Sequence, residues 1–592
     1  MPSAENFRLL IFLLLGGLLI APARAQNYPR VAPQEPEAAP PATLPAPPSP
    51  PPSAANENAV IIPELKGIAF VASSATVKPE GLTAPGVSLG DITLLERDDF
   101  RTQVEPFLGR PLTFGRLNEI ARLVVAFYRA HAHPLVNVTV PEQNVQSGTV
   151  QIVVTEFRVG AVRVEGNKWF SDAQVAAPVT FQPGDTVDAD RLLGELDAAN
   201  ANPFRRVDLI YAPGAKPGAT DLILQTQDRF PLRVYGSYDN GGTPSTGRAR
   251  WGLGFNWGKA FGLDSQLAYQ FTSSNDFWRG RSSPPGEPDG ASFVAHSLNW
   301  SLPMPRGGRL ALFGAHEESV PQLGPDFGLT GRSDQVSLRY SQPLPRTPAF
   351  THAVEVGYDY KNTNNNLDFG GTTVSANATE IDQFLLKYSA NLDDRFGSTG
   401  GSATLAWSPG DITSRNTDAA FQPAPGQSGR SAASARYAYL RVELERLTRL
   451  PLDATWATRL IGQLTSSNLL STEQLSVGGP DLLRGYEPNS INGDRGVVLS
   501  NELRTPVFHL LPGKNPADRL QALAFWDYAA LSARRDVVGD INRVHASSAG
   551  LGLRYNLAAW LVLKLDYGWQ LQRLPNDGGD GRFGFAAVTV GY

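Results

Sequence analysis

The sequence predicts a transmembrane β-barrel of about sixteen antiparallel strands, at about ten residues per tilted strand plus loops, preceded by two small α/β domains. Three observations predict it. From about Phe230 to the C-terminus, large apolar residues alternate with polar ones in windows of strand length. Between about Val60 and Asp228 the hydrophobic period switches back and forth between that of a helix and that of a strand. At the N-terminus, Arg8 precedes an apolar run over residues 9–20, and Ala23-Arg24-Ala25 supplies the small residues of an export-signal cleavage site. Residues 1–25 are therefore expected to be a signal peptide, and the mature chain to start at Gln26.

Composition removes several classes. With 592 residues, more than one domain is expected. Charged residues make up 18% and aromatics 9%, yet no mature segment reaches the about eighteen continuous apolar residues of a spanning helix. There is no cysteine, so disulfide frameworks and thiolate metal sites are excluded. A net charge of -5 with interspersed signs gives no basic footprint for nucleic acid. The seven histidines show no HExxH spacing, there is no G-x-S-x-G elbow, and Gly252-Leu253-Gly254 opens no helix. No enzyme, metal or cofactor is expected.

Residues 26–59 form a Pro/Ala-rich linker. Its Pro47-Pro48-Ser49-Pro50-Pro51-Pro52 run has few amide donors and almost nothing to bury, which predicts an extended polyproline-like spacer. The first α/β domain is expected over 60–156. There Leu117, Ile120, Ala121, Val124 and Tyr128 make one helical stripe, Pro134 closes the helix, and strands follow at Val136, Val138, Val140 and at Val150, Ile152, Val154. The second, over 157–228, repeats the order. A strand at 159–164 and a turn at Gly166-Asn167 lead to a helix from about Asp188 with Leu192, Leu193, Leu196 and Ala199 on one face, then strands near 207–211 and 222–225.

Residues 229–592 are expected to form the barrel. In 561–569, every odd position is large and apolar, while Lys564, Asp566 and Gly568 lie between them. The same pattern holds for Leu440 and Leu444 against Arg441 and Glu443, Phe384, Leu386 and Tyr388 against Lys387, and Val354, Val356, Tyr358 and Tyr360 against Glu355 and Asp359. A soluble β-sandwich alternates too. The export signal, the aromatics Tyr358, Tyr360, Tyr567 and Trp569 near strand ends, and long Gly/Ser/Asn/Pro stretches alternating with short turns favour a membrane barrel. Closure would leave no backbone edge unpaired in lipid.

One segment stands apart from this alternation: Gly478-Gly479-Pro480-Asp481-Leu482-Leu483-Arg484-Gly485-Tyr486, continuing to Gly493-Asp494-Arg495-Gly496 and Asn501-Glu502-Leu503-Arg504. With Phe525-Trp526-Asp527-Tyr528-Ala529 behind it, the chain resembles the two-partner secretion outer-membrane transporters (TpsB type) of the hemolysin secretion/activation family. Their superfamily also contains the barrel-assembly insertases. The resemblance implies that Leu483, Arg484, Gly485 and Tyr486 tip a loop near 478–498 that folds back into the barrel. Arg484 would then meet Asp527 on the inner wall, a pairing suited to a planar guanidinium in a confined lumen. Ala529 stands where the family carries glycine.

The α/β units resemble polypeptide-transport-associated (POTRA) domains. Pro111-Leu112-Thr113, Tyr128, Pro141-Glu142-Gln143 and Gly148 carry that resemblance in the first, and Asn202-Pro203-Phe204-Arg205 and Thr220-Asp221-Leu222 in the second. Pro141, Gln143, Asn202, Pro203 and Phe204 are accordingly candidate functional positions. The resemblance implies a translocation pore in the outer membrane of a Gram-negative cell, with POTRA domains in the periplasm. Its partner would be a secreted exoprotein with an N-terminal secretion domain, its surroundings outer-membrane lipid, and its default state a monomer. The Pro/Ala tract leaves little room for the N-terminal plug helix of some members. An insertase for other barrels and a passive diffusion porin are the alternative readings.

Overall fold

The computed structural model describes residues 31–36, 42–45, 57–278, 291–320, 327–369, 372–375, 378–422, 429–511, 518–537, 542–574 and 580–592. The expected signal peptide lies outside the described residues. The chain divides into two compact units: one holds residues 39–201 and 205–229, the other residues 1–38, 202–204 and 230–592.

In the first unit, β1 (Gly67–Val71), β2 (Gly86–Ser88), β3 (Val136–Thr139) and β4 (Thr149–Glu156) form a sheet of order β2-β1-β4-β3, with helix α1 (Phe114–Ala130) between β2 and β3 in sequence. Strand β1 runs parallel to β2 and β4, while β3 is antiparallel to β4. Thr113 caps α1 by accepting from the Arg116 amide, which satisfies one of the first-turn donors that a helix leaves open. The helix buries Ile120, Val124, Phe127 and Tyr128 against Ile68, Phe70, Ile152 and Val154. Of the expected stripe, Ile120, Val124 and Tyr128 are buried and Leu117 packs against the same core. Leu117 and Ala121 are only half-buried and Phe127 is buried, because the Phe127 ring meets Phe100, 4.9 Å away on the short helix Asp98–Val104.

The same unit holds a second sheet of order β5-β7-β6, made of β5 (Arg158–Glu165), β6 (Arg205–Pro213) and β7 (Ala219–Asp228). Helix α2 (Ala189–Ala199), capped by Asp188, buries Leu192, Leu193, Leu196 and Ala199.

The other unit is a closed antiparallel barrel of 16 strands. They are β8 (Leu232–Asp239), β9 (Arg250–Ala260), β10 (Ser265–Ser273), β11 (Phe293–Pro303), β12 (Arg309–Ser319), β13 (Phe327–Pro343), β14 (Phe350–Phe369) and β15 (Ala378–Asp394). Then follow β16 (Gly397–Pro409), β17 (Arg436–Arg449), β18 (Thr455–Thr465), β19 (Arg495–Arg504), β20 (Asp518–Ser532), β21 (Arg543–Leu557), β22 (Leu561–Gln570) and β23 (Arg582–Gly591). The ring closes between β8 and β23, with Tyr238 opposite Val588. Closure removes the edge that an open sheet would expose in hydrocarbon.

Burial in the barrel is inverted relative to a soluble protein. Leu253, Val356, Leu386, Leu444, Leu464, Leu551 and Trp569 are exposed on the outside, whereas Asn256, Gln270, Asp359, Lys361, Gln383, Gln463 and Asp527 are buried within. An apolar exterior around a polar interior excludes the soluble sandwich, whose polar face looks outward.

The linker departs from expectation at its N-terminal end. Val31 and Ala32 are buried, Val31 in a cluster with Phe293, Ala295 and Ala315, so this part of the tract is not a solvated spacer. Its other expected spacer run, residues 47–52, lies outside the described residues.

The first sheet should depend on α1. Ile120→Ala is expected to destabilise that α/β unit by about 2–5 kcal/mol, the cost of emptying a close-packed aliphatic site, and urea-dependent proteolysis of the full-length chain measures it.

Candidate functional site: a loop anchored inside the barrel

Between β18 and β19 the chain turns back into the barrel as a hairpin, Leu475–Val477 paired antiparallel with Ile491–Gly493. Two glycines with positive φ, Gly478 at 115° and Gly479 at 81°, start its tip, a conformation that costs glycine little. The Gly479 amide donates to the Tyr486 carbonyl at 3.0 Å, closing the tip around Leu483, Arg484 and Gly485. Leu483 and Tyr486 are fully buried among Ile461, Val498, Ala529, Leu531 and Ala546 of the surrounding wall.

Arg484 is 4% exposed and its guanidinium is committed on every side. Its Nε donates to Asp527 Oδ2 at 2.8 Å and its Nη2 to Asp527 Oδ1 at 2.7 Å, a two-point pairing. The Arg484 backbone amide also donates to Asp527 Oδ2, at 3.0 Å. Nη1 reaches Glu502 Oε1 at 2.5 Å, and Nη2 reaches Ser500 Oγ at 3.0 Å. The guanidinium lies 3.7 Å from the centroid of the Phe525 ring, so a cation–π face supports it as well. Around it the charges balance: Arg504 pairs with Glu502 at 2.6 Å, Arg554 with Asp566 at 2.8 Å, and Asp566 comes within 4.0 Å of Arg484. Three guanidiniums thus face three carboxylates, which limits the cost of holding charge in a confined lumen.

The last two residues of the tip explain why the loop can come so close. Gly485 has φ 89°, and a Cβ there would meet the Gly568 carbonyl carbon at 3.1 Å. A Cβ on Gly568 would meet the Gly485 amide at 2.6 Å. Two glycines therefore let the loop backbone lie against β22. Next to them Gln570 Nε2 donates to the Gly485 carbonyl at 3.1 Å, and the Tyr486 hydroxyl donates to the Ser547 carbonyl at 2.9 Å.

The base of the loop is tied separately. Asp494 is fully buried; its Oδ1 accepts from Arg430 Nη1 at 2.6 Å, the Leu469 amide at 3.0 Å and Gln474 Nε2 at 3.0 Å, and its Oδ2 from the Arg534 amide at 2.9 Å. Asn468, also fully buried, donates to the Ser431 and Arg535 carbonyls at 3.2 and 3.0 Å. These two side chains join the returning loop to the β16–β17 and β20–β21 connections. Lys361 Nζ and Glu473 Oε1, 2.6 Å apart and both buried, hold it to β14.

The other candidate positions take different places. Gln143 completes the first sheet where β3 stops: its Nε2 donates to the Gln151 carbonyl at 2.8 Å and its Oε1 accepts the Gln151 amide at 2.7 Å, as a neighbouring strand would. The same Nε2 lies 3.2 Å from the Pro141 carbonyl. Asn202, Pro203 and Phe204 belong to the barrel-containing unit. There Asn202 Nδ2 donates to the Gly258 carbonyl at 2.6 Å and to Asp264 Oδ1 at 3.0 Å, and the Phe204 ring fills the space beside Gly258 where a side chain would stand.

A β-barrel with a returning loop tipped Leu-Arg-Gly-Tyr is one part of the identification, and the whole-sequence comparison is the other. The family described as "Haemolysin secretion/activation protein ShlB/FhaC/HecB" matches residues 218–555. The chain belongs to that family. A second match, to the "POTRA domain, ShlB-type", covers residues 82–156. Among curated members, the outer membrane transporter CdiB-2 of Burkholderia pseudomallei is 23% identical over 64% of this chain and 62% of its own length. The heme/hemopexin transporter protein HuxB of Haemophilus influenzae is 22% identical over 86% of this chain and 88% of its own. Of solved structures, CdiB from Escherichia coli superposes with a TM-score of 0.70 at 17% identity, covering 91% of this chain and 92% of that one, and so shares the fold. This member of the ShlB/FhaC/HecB family is an outer-membrane transporter, and its POTRA region is periplasmic.

Removing Arg484 takes the guanidinium away from the fully buried Asp527, while Glu502 keeps Arg504 and Asp566 keeps Arg554. Arg484→Ala is expected to cost the docked loop about 3–5 kcal/mol, as for breaking a buried ion pair, whereas the Arg484→Ala/Asp527→Ala double variant should recover part of that loss. A double-mutant cycle read by protease access to residues 478–486 measures the coupling.

Proposed function

We propose that this transporter captures an unfolded exoprotein in the periplasm and threads it through the barrel to the cell surface. Its two α/β units, over 60–156 and 157–228, are read as two POTRA domains, and 229–592 as the pore. The single observation that carries the reading is a polar-walled, closed barrel of this family holding the Arg484-anchored loop within its lumen. Capture fits the edges of the two sheets, β3 in the first and, in the second, β5 beyond Val159, which pairs with Gly184 and Asp185, and β6 beyond Val207, which the Asn200 side chain closes; there an extended chain can add as a further strand. On β6 the outward residues Asp208 and Ile210 would flank such an added strand.

In this reading the exoprotein carries an N-terminal secretion domain, the apolar outer wall contacts outer-membrane lipid, one chain forms one pore, and the chain itself catalyses no reaction. Leu483, Arg484, Gly485, Tyr486 and Asp527 serve as the strut or gate of the pore. Pro141 and Gln143 shape a POTRA sheet, and Asn202, Pro203 and Phe204 support the barrel wall. The insertase and porin readings are less favoured, since the curated relatives are named as transporters.

Secretion in cells carrying wild type or Arg484→Ala tests it, with a large exoprotein encoded beside this chain as cargo and its level in the medium scored against barrel level in the outer membrane. Wild type is expected to release the cargo, and the variant to insert yet release less. Cargo retained in the periplasm with wild type, together with loss of other outer-membrane barrels on deletion, would instead support an insertase.

A further inference from the structure

The inner wall of β8–β11 already holds a piece of polypeptide, and that piece is this chain's own residues 31–36. Four wall side chains grip it. Tyr235 Oη accepts the Gln34 amide at 2.8 Å, Asn256 Nδ2 donates to the Gln34 carbonyl at 2.8 Å, Ser297 Oγ donates to the Val31 carbonyl, and Asn299 Nδ2 donates to Glu35 Oε1 at 3.1 Å. Three of the four grip backbone atoms. The fourth grips a side chain, and Val31 alone enters an apolar cluster, with Phe293, Ala295 and Ala315.

The wall is built for this. Tyr235, Gly254, Gln270 and Ser297 stand side by side across four strands, and Gly254 leaves room for the Tyr235 ring, which a Cβ there would meet at 2.4 Å. The Tyr235 hydroxyl therefore reaches Gln270 Oε1 at 2.9 Å while it accepts the Gln34 amide. Val31 lies by Phe293 and Ala295 near the start of β11, and Glu35 by Asn299 further along the same strand. The segment therefore runs along the barrel wall in the direction of β11.

Side chains that bind main-chain N–H and C=O groups read no sequence, because every residue but proline offers both. We propose that this face is a track for extended polypeptide backbone, filled at rest by residues 31–36 and in transit by the exported chain. It rests on the export reading above and names the path within it. The wall around the returning loop is the poorer candidate: that loop is fixed at its tip by Arg484 and at its base by Asp494 and Asn468, whereas the backbone of residues 31–36 meets the hydroxyls of Tyr235 and Ser297 and the side-chain amide of Asn256. In transit Tyr235, Asn256 and Ser297 can exchange one backbone for another with the same donors and acceptors, whereas the contacts of the Glu35 carboxylate with Asn299 and with the charge of Arg309 belong to residues 31–36 alone.

A photoreactive residue tests the path when placed at Ala268, which faces the track between Asn256 and Asn299, and as a control at Ile461, beneath the returning loop. Cargo is stalled in the pore by a folded domain fused to its C-terminus. At rest, Ala268 is expected to capture residues 31–36. With cargo stalled, it should capture cargo instead, and Ile461 should capture none. Stalled cargo that cross-links at Ile461 and not at Ala268 would overturn the track while leaving export intact. Cargo that never engages the pore would overturn the export reading, and the track with it. Asn256→Ala combined with Tyr235→Phe gives a second reading without cargo: loss of the Ala268 cross-link to residues 31–36 is expected, and an undiminished cross-link would show that these side chains do not hold the segment.

Discussion

A cation placed inside a narrow, partly dry tube has to be matched by anions within the tube, and the Arg484 site is organised around that constraint. The guanidinium fixes Asp527 and Glu502; Glu502 in turn fixes Arg504, and Asp566 with Arg554 completes the balance. Because the guanidinium is planar and is gripped along two edges, it sets the direction of the loop as well as its position. Gly485 and Gly568 then follow from sterics, since neither backbone could approach the other behind a side chain. Charge decides where the loop docks, and the two glycines decide how closely.

The loop is secured twice by different chemistry. Its tip depends on one ion-paired cluster on the barrel wall, whereas its base depends on Asp494 and Asn468, which bind mainly main-chain groups and a single arginine of neighbouring connections. Sites that share no partners behave independently to a first approximation. The tip can therefore loosen without dissolving the arrangement of the connections around its base.

Much of the fold was legible because alternation and helical periodicity are local. The inward and outward faces of β14, β15, β17 and β22 follow from residues two apart, and the buried face of α2 from residues three and four apart. The meeting of Arg484 and Asp527 was legible only through a motif resemblance, since nothing local relates positions 43 apart. Glu502 and Ser500 carried a weaker signal: they share a face of β19 with Arg504, which marks them as inward-facing without naming their partner. Residues 31–36 gave none. Their partners lie beyond position 230, and a short Pro-containing stretch has no periodicity from which burial could be read. Phe127 was missed for a related reason, because what covers it is Phe100 on a helix of only seven residues.

Strands β13, β14 and β15 have 17, 20 and 17 residues. At about 3.3 Å per residue and a tilt of about 45°, β14 stands about 47 Å tall against an apolar band of about 25 Å. Its outward face records where the lipid ends: Val354, Val356, Tyr358 and Tyr360 give way to Asn362 and Asn364. The rim is thus a slope. Among the described strands, whatever leaves the barrel passes the tall β13–β15 on one flank and the shorter β8 and β10, of 8 and 9 residues, on another, so the exit has a sidedness that a level-rimmed tube lacks.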